Sequence, residues 1–139
     1  MKLNYWLVKS EPNSYAWNDL RNKSEDIWDG VRNYQARNFM RDMKIGDRGF
    51  FYLSQKEKSI VGIVEVITEA HPDSTTDAER WECVDIKAVE ALKTQVSLEI
   101  VKTDPRLTDM ILAKNSRLSV QPVLVQEWRV ICALGGLEA

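Results

Sequence analysis

Five tryptophans, Trp6, Trp17, Trp28, Trp81 and Trp128, stand out in a chain of 139 residues. An indole ring either fills core volume or presents a flat π-face on which another planar group can stack. Trp28 sits in Asp26-Ile27-Trp28-Asp29-Gly30, between carboxylates and a glycine and off any periodic apolar stripe, an unusual address for a purely structural ring. Trp6 shares a strand face with Ser10 by two-residue alternation, so an aromatic surface and a hydroxyl meet at one strand end. Directly after Trp28 comes Gly30-Val31-Arg32-Asn33-Tyr34-Gln35-Ala36-Arg37-Asn38, a polar cluster entering a helix. Asn offers both a donor and an acceptor to a base edge, and Arg bonds a phosphate or stacks on a base. The same side chains have plainer uses, Asn33 as a helix cap and Arg32 and Arg37 as solvated charges. Both readings stay open on the pattern alone.

Groups for covalent or acid–base chemistry are sparse. The one histidine, His71, precedes Pro72 in a stretch that reads as a polar loop, where a side chain is ordinarily solvated. There is no Gly-x-Ser-x-Gly elbow, phosphate-binding glycine loop, dinucleotide fingerprint or His-Glu-x-x-His pair. Glu65 and Glu69 are carboxylates that only the fold can pair. Cys83 and Cys132 lie far apart and read as reduced thiols packed as small hydrophobes, with no metal site expected. No catalytic residue, cofactor or metal is assigned.

Charge narrows the class of binding. A net charge of −2 excludes a protein that coats nucleic acid by electrostatics alone. Residues 1–60 nevertheless carry 11 basic against 8 acidic side chains, and residues 61–139 carry 8 against 13. A modest basic surface on the first part is compatible with touching a few phosphates. No run approaches the roughly 20 apolar residues of a membrane span. Met1-Lys2-Leu3-Asn4 lacks a secretory apolar run, so a cytoplasmic protein is expected.

The elements that must position these residues follow from periodicity. Asn4–Lys9 reads as a strand stopped at Ser10-Glu11-Pro12, and Ser14 as the cap of a short helix through Leu20. Tyr34–Lys44 places Ala36, Phe39, Met40 and Met43 at helical spacing behind the N-cap Asn33. Gly46-Asp47 turns into a strand over Gly49–Ser54, with a hairpin partner over Ile60–Ile67 and a third strand through Val84, Ile86 and Ala88. Asp104-Pro105 reads as a helix start that brings Leu107, Met110 and Ile111 onto one face. Leu118–Val123 is a short edge strand because Pro122 lacks a donor. Glu127–Leu134 is a closing helix ended by Gly135-Gly136. The expected architecture is α/β in composition, of the mixed α+β kind: a single domain over residues 1–139, with a curled sheet or small barrel and helices at its periphery.

Several segments together resemble the EVE domain family. They are Tyr5-Trp6-Leu7-Val8-Lys9-Ser10-Glu11-Pro12, the run Gly30 to Met40, Gly46-Asp47 leading to Phe51-Tyr52 and Ser54, Gly62-Ile63-Val64-Glu65-Val66, and Arg117-Leu118-Ser119-Val120-Gln121-Pro122-Val123. The match runs in order over nearly the whole chain, with Val31-Arg32-Asn33-Tyr34-Gln35-Ala36-Arg37-Asn38 as its most specific part. The resemblance implies a PUA-like fold, a small curled β-barrel with peripheral helices. It also implies a nucleic-acid-binding module, for DNA or RNA, that holds a flipped, modified base such as a modified cytosine in an aromatic pocket, with a monomer favoured. Carried over position by position, that pocket involves Trp6, Ser10, Trp28, Asn33, Tyr52 and Ser54, with Lys9, Arg32, Arg37 and Arg117 nearer the backbone. One departure is Leu124-Val125, where relatives tend to carry a Thr or Ser that caps the last helix; its loss costs about 1 kcal/mol. The rival reading is a small PUA-like hydrolase acting on a nucleobase or related amide, with Lys9, Glu65 or His71 as acid or base. A cleft for a peptide is a third.

Overall fold

The computed structural model describes residues 4–10, 15–78, 80–115 and 117–137, so Glu11, Pro12 and Ser14, given roles above, lie outside the described residues. Six strands are described: β1 (Tyr5–Ser10), β2 (Glu25–Trp28), β3 (Arg48–Leu53), β4 (Ser59–Pro72), β5 (Glu82–Ser97) and β6 (Val120–Val123). The helices are α1 (Trp17–Lys23), α2 (Tyr34–Asp42), α3 (Leu98–Thr103), α4 (Ile111–Lys114) and α5 (Val125–Leu134). The strands form one sheet in the order β2-β5-β4-β3-β1-β6, parallel between β1 and β3 and antiparallel elsewhere.

The sheet is curled, and a simple distance argument shows why it must be. Strands β5 and β6 are four places apart, about 19 Å if the sheet were flat. Yet α2, a cylinder of about 10–12 Å, packs against both. Register shifts along β4 and β5 supply the bend, since each extra residue kinks its strand and increases the twist. The hydrogen-bonded ladder stays open, with β2 and β6 as its edges.

Two-residue alternation divides the core between the faces. Trp6, Val8, Phe51 and Leu53 turn toward α1 and α2, meeting Trp17, Leu20, Ala36, Met40 and Met43. Leu7, Phe50 and Tyr52 turn the other way, toward Val101, Leu112, Trp128 and Ile131 of α3, α4 and α5. Gly62 on β4 is where Trp17 lies flat on the sheet; a β-carbon there would meet the indole ring at 2.5 Å.

One strand lies outside the expected elements: Glu25–Trp28 pairs with β5 at the edge of the sheet. Two expectations are corrected. Asp104 does not start a helix: it ends α3, and its carboxylate accepts from the backbone N–H and the guanidinium of Arg106. That turn consumes the side chain that would have capped, though Leu107 and Met110 are buried as their spacing implied. His71 lies within β4, paired with Cys83, and not in a loop. As expected, Leu124 gives α5 no side-chain cap, but the Glu127 carboxylate accepts from the Leu124 N–H at 2.9 Å and recovers part of the loss.

Candidate nucleic-acid interface

The site is built where β2 runs out. Trp28 pairs with Val84 at the last position of the strand, and Gly30 then turns the chain with φ +78°, a conformation that favours glycine. Asp73, fully buried in its side chain, fixes that turn from beneath. It accepts from the Gly30 N–H at 2.9 Å, Arg32 Nη1 at 3.0 Å, the Thr75 N–H at 2.8 Å and the Thr75 hydroxyl at 2.5 Å. Burial alone would push its pKa up, but these donors outweigh burial and hold it well below the usual carboxylate range. The loop that carries Asp29, Val31 and Arg32 is therefore anchored on a permanent charge.

Above this anchor lies a cleft of about 550 Å³, open to solvent, lined among others by Lys9, Ser10, Tyr15, Asp26, Trp28 and Ser119. Its volume is that of a small-molecule site. Trp28 is 9% exposed and meets Tyr15 and Phe51 edge-on, with ring centroids 6.0 and 5.7 Å away. Tyr15 is held in one wall at both ends: Ser10 Oγ donates to its backbone carbonyl at 2.5 Å, and its hydroxyl donates to Asp26 Oδ2 at 2.5 Å. Lys23 Nζ reaches the same carboxylate oxygen at 3.3 Å. Burial, followed by the Asp26 bond, pushes the Tyr15 phenol far up. Asp26 itself is lowered, because the Tyr15, Ile27 and Lys23 donors outweigh its burial. Asp29 is raised, first by burial and then by the charges of Asp73 and Asp26. The cleft thus combines an indole, two carboxylates of opposite tendency and a rim of cations from Lys9, Lys23 and Arg32.

Of the residues singled out in the sequence, Lys9, Ser10, Trp28 and Arg32 are brought together on this cleft. The others are not on its wall. Trp6 is buried, and its indole N–H donates to Asp47 Oδ2 at 3.0 Å, which ties β1 to the turn before β3. Tyr52 lies on the opposite face: alternation in β3 sends Phe51, not Tyr52, toward Trp28. Asn33 is the N-cap of α2, its Oδ1 accepting from the Ala36 N–H at 2.9 Å. Ser54 bonds the Ser10 carbonyl through both its N–H and its hydroxyl, supporting the strand end behind the cleft. Arg37 donates to the Arg80 carbonyl at 2.8 Å, and Arg117 accepts through its carbonyl from Lys9 Nζ at 3.3 Å.

Tyr15, Lys23, Asp26, Asp29 and Ser119 were missed by sequence reasoning. Asp26 and Asp29 carried a usable signal, because they flank Trp28. Tyr15 and Ser119 carried none: only the folding of α1 and β6 over the end of β1 brings them in.

The groups of the hydrolytic reading are dispersed. Lys9 aligns with Tyr52, whereas Glu65 aligns with Arg48, four positions away along β3, and lies near Arg48 and Lys87. His71 Nε2 lies 2.8 Å from Asp85, and Cys83 Sγ is 3.7 and 3.9 Å from the two ring nitrogens. A sulfur nearly equidistant from both nitrogens is not in line with either lone pair. Burial, then the charges of Asp73 and Asp85, pushes the Cys83 thiol up to about 11, away from the reactive thiolate. Among the described residues no group of three His, Cys, Asp or Glu side chains is arranged to hold a metal ion.

The chain is similar to proteins of known structure. A protein from Agrobacterium tumefaciens is 52% identical, with a TM-score of 0.93 covering 96% of this chain and 94% of that one. The human THYN1 protein, solved in complex with 5-methylcytosine-containing DNA, is 35% identical with a TM-score of 0.89, covering 98% and 99%. Mouse thymocyte nuclear protein 1 is 38% identical over 165 residues, covering 94% of this chain and 73% of that protein. The YTH domain of Zygosaccharomyces rouxii MRB1, at 16% identity and a TM-score of 0.58, shares the fold; the architecture is PUA-like, a curled mixed sheet with helices around it. With the model of the EVE domain matching residues 4–134, the chain belongs to the EVE domain family.

Proposed function

We propose that this protein is a nucleic-acid reader that takes an extruded, modified base into the cleft beside Trp28 and returns it chemically unchanged. The observation that carries the reading is the combination in one open cleft of an indole that no parallel ring covers among the described residues with polar groups suited to a heterocycle's edge. The likeness to the human protein bound to 5-methylcytosine DNA supports it.

In this reading the base stacks on Trp28, and Asp29 and Ser10 meet its edge. A carboxylate accepts from an exocyclic amine such as that of cytosine. Asp26 is committed to Tyr15 and Lys23, whereas the Asp29 carboxylate accepts only from its own backbone N–H among the described residues and keeps acceptor capacity for a base. Lys9 and Arg32 at the rim face the backbone. Stacking contributes about 1–3 kcal/mol per base, and extrusion costs a few kcal/mol, so an unpaired or destabilised base is the preferred substrate. A methyl group adds roughly 1 kcal/mol if it is fully buried.

Trp28 is also part of the core, so the test is Trp28→Leu, which retains apolar volume and removes the π-face. Fluorescence polarisation with oligonucleotides carrying 5-methylcytosine should show a loss of about 10-fold to 100-fold, the equivalent of one stacked base. Wild-type affinity in the folded variant would remove the assignment. Mass spectrometry of nucleosides incubated with the protein should return each unaltered; a new product would establish the hydrolytic reading instead.

A further inference from the structure

A second feature adjoins the cleft and is not used by base binding. Tyr34, the first residue of α2, is 55% exposed and stacks on Trp81 with ring centroids 4.9 Å apart and planes 28° from parallel. Three guanidinium groups surround this pair. Arg37 lies 4.9 Å from the centre of the Tyr34 ring, and Arg32 and Arg80 lie 5.6 and 5.8 Å from that of Trp81. We propose that this arginine–aromatic ridge, with Arg37 and Arg80 as its contacts, seats the phosphodiester backbone of the strand whose base enters the cleft. The proposal rests on the reader function above and gives that function its second point of attachment.

Of the three guanidiniums around this ring pair, charge singles out Arg37 and Arg80. Arg32 is neutralised by the buried Asp73, Arg41 pairs with Glu82, and Arg48 lies near Glu65. Arg37 and Arg80 make no ion pair among the described residues, in a chain whose net charge is −2. Two guanidiniums without an acidic partner, each over a ring of the same stacked pair, leave a local positive charge that an anionic backbone can meet. Stacking supplies the rest. A guanidinium over an aromatic ring is held in place while its edge N–H donors stay available, so less freedom is lost when it binds a phosphate. Arg37 is further fixed by bonds from Nε and Nη2 to Asn38 Oδ1 and from Nη1 to the Arg80 carbonyl, which leaves one N–H on each of its terminal nitrogens for a phosphate oxygen.

Arg32 joins ridge to cleft. It lines the cleft, bonds Asp73 and Thr75, and lies over Trp81. A strand lying on the ridge therefore runs continuously to the rim of the base pocket, as a backbone must if one of its nucleotides is turned inward.

The test separates backbone from base. Polarisation titrations would use a short oligonucleotide with a single 5-methylcytosine and its unmodified counterpart over a range of NaCl concentrations, with the wild type, Arg37→Gln/Arg80→Gln and Trp28→Leu. Removing two phosphate contacts should weaken both oligonucleotides about equally, by roughly 10-fold or more at low salt. It should also make the slope of log K against log salt shallower by about 1 to 2, and leave the preference for the modified strand intact. Trp28→Leu should do the reverse, reducing the preference at unchanged slope. If the double variant is unstable, Arg80→Gln alone carries the test, since this exposed side chain makes no hydrogen bond among the described residues; the slope should then fall by about 1. An unchanged slope, or a lost preference in the arginine variants, overturns the ridge. If the wild type shows no preference for the modification, the base-pocket reading fails, and the slope still decides the ridge.

Discussion

On the sheet face covered by α3, α4 and α5, Trp128 lies between Tyr5 and Phe50, with centroids 4.4 and 4.1 Å away and planes tilted by 21° in both pairs. On the face covered by α1 and α2, Trp28 meets Tyr15 and Phe51 at 76° and 77°. Both indoles are buried to a similar degree, and each meets a phenylalanine of β3. The difference lies in what remains to be covered. Parallel partners on Trp128 complete a closed core, whereas edge-on partners leave Trp28 without a parallel ring among the described residues. Burial alone therefore does not distinguish the two indoles; the orientation of their neighbours and the open cleft beside Trp28 do, and the proposed function rests on that difference.

The largest effect should come from breaking the closed face. Trp128→Ala removes the centre of the stack and should cost about 3–5 kcal/mol of stability in chemical denaturation, while the folded fraction keeps its affinity for oligonucleotides. Lost affinity with little lost stability would erase the distinction between the faces. Next is Gly62→Ala, which forces a methyl group into the Trp17 ring at 2.5 Å. Overpacking of this kind costs about 1–3 kcal/mol. Trp17 meets Phe51 edge-on at 5.4 Å, and Phe51 meets Trp28, so the strain should also reach the cleft and weaken binding. Adding Trp17→Leu should recover part of both losses, a non-additivity expected only of groups in contact. Simple additivity would show that Trp17 does not transmit to Trp28.

What the sequence made legible follows the same division. Strands β1, β3, β4 and β5, helices α2 and α5, and the Asn33 cap announce themselves through periodicity and punctuation, because those signals are local. The run after Trp28 drew attention to Arg32, and the odd surroundings of Trp28 drew attention to that ring; the fold puts both on the wall of the cleft. Tyr52 illustrates the limit: adjacency to Phe51 in a motif says nothing of which face each ring takes, and alternation sends the two apart. Asn33 shows another, since one side-chain oxygen can cap a helix or read a base and only the fold decides which. Asp73 was not singled out at all. Its role depends on β4 bringing it beneath a loop 43 residues earlier in the chain, and nothing local records that.

The smallest effect sharpens the contrast from the open side. Asp29 titrates above the usual aspartate range because burial, and then Asp73 and Asp26, disfavour its charge, with its own backbone N–H and Arg32 opposing them. If it accepts from a base amine, binding needs the ionised form and favours it, so protons are released on binding and affinity falls as pH falls through the Asp29 pKa. The scaffold survives that window. The Asp73 pKa is depressed, so its contribution to stability is complete above the unfolded value of about 3.9 and is lost only on going lower. Affinity for a 5-methylcytosine oligonucleotide should therefore decline in mild acid by about 10-fold at most, the scale of one net hydrogen bond of roughly 0.5–1.5 kcal/mol. Asp29→Asn should flatten the profile, and a strand with thymine at the same position, lacking the amine, should show no such decline. A decline shared equally by thymine and 5-methylcytosine would assign the titration to the backbone contacts and leave Asp29 without a part in reading the base.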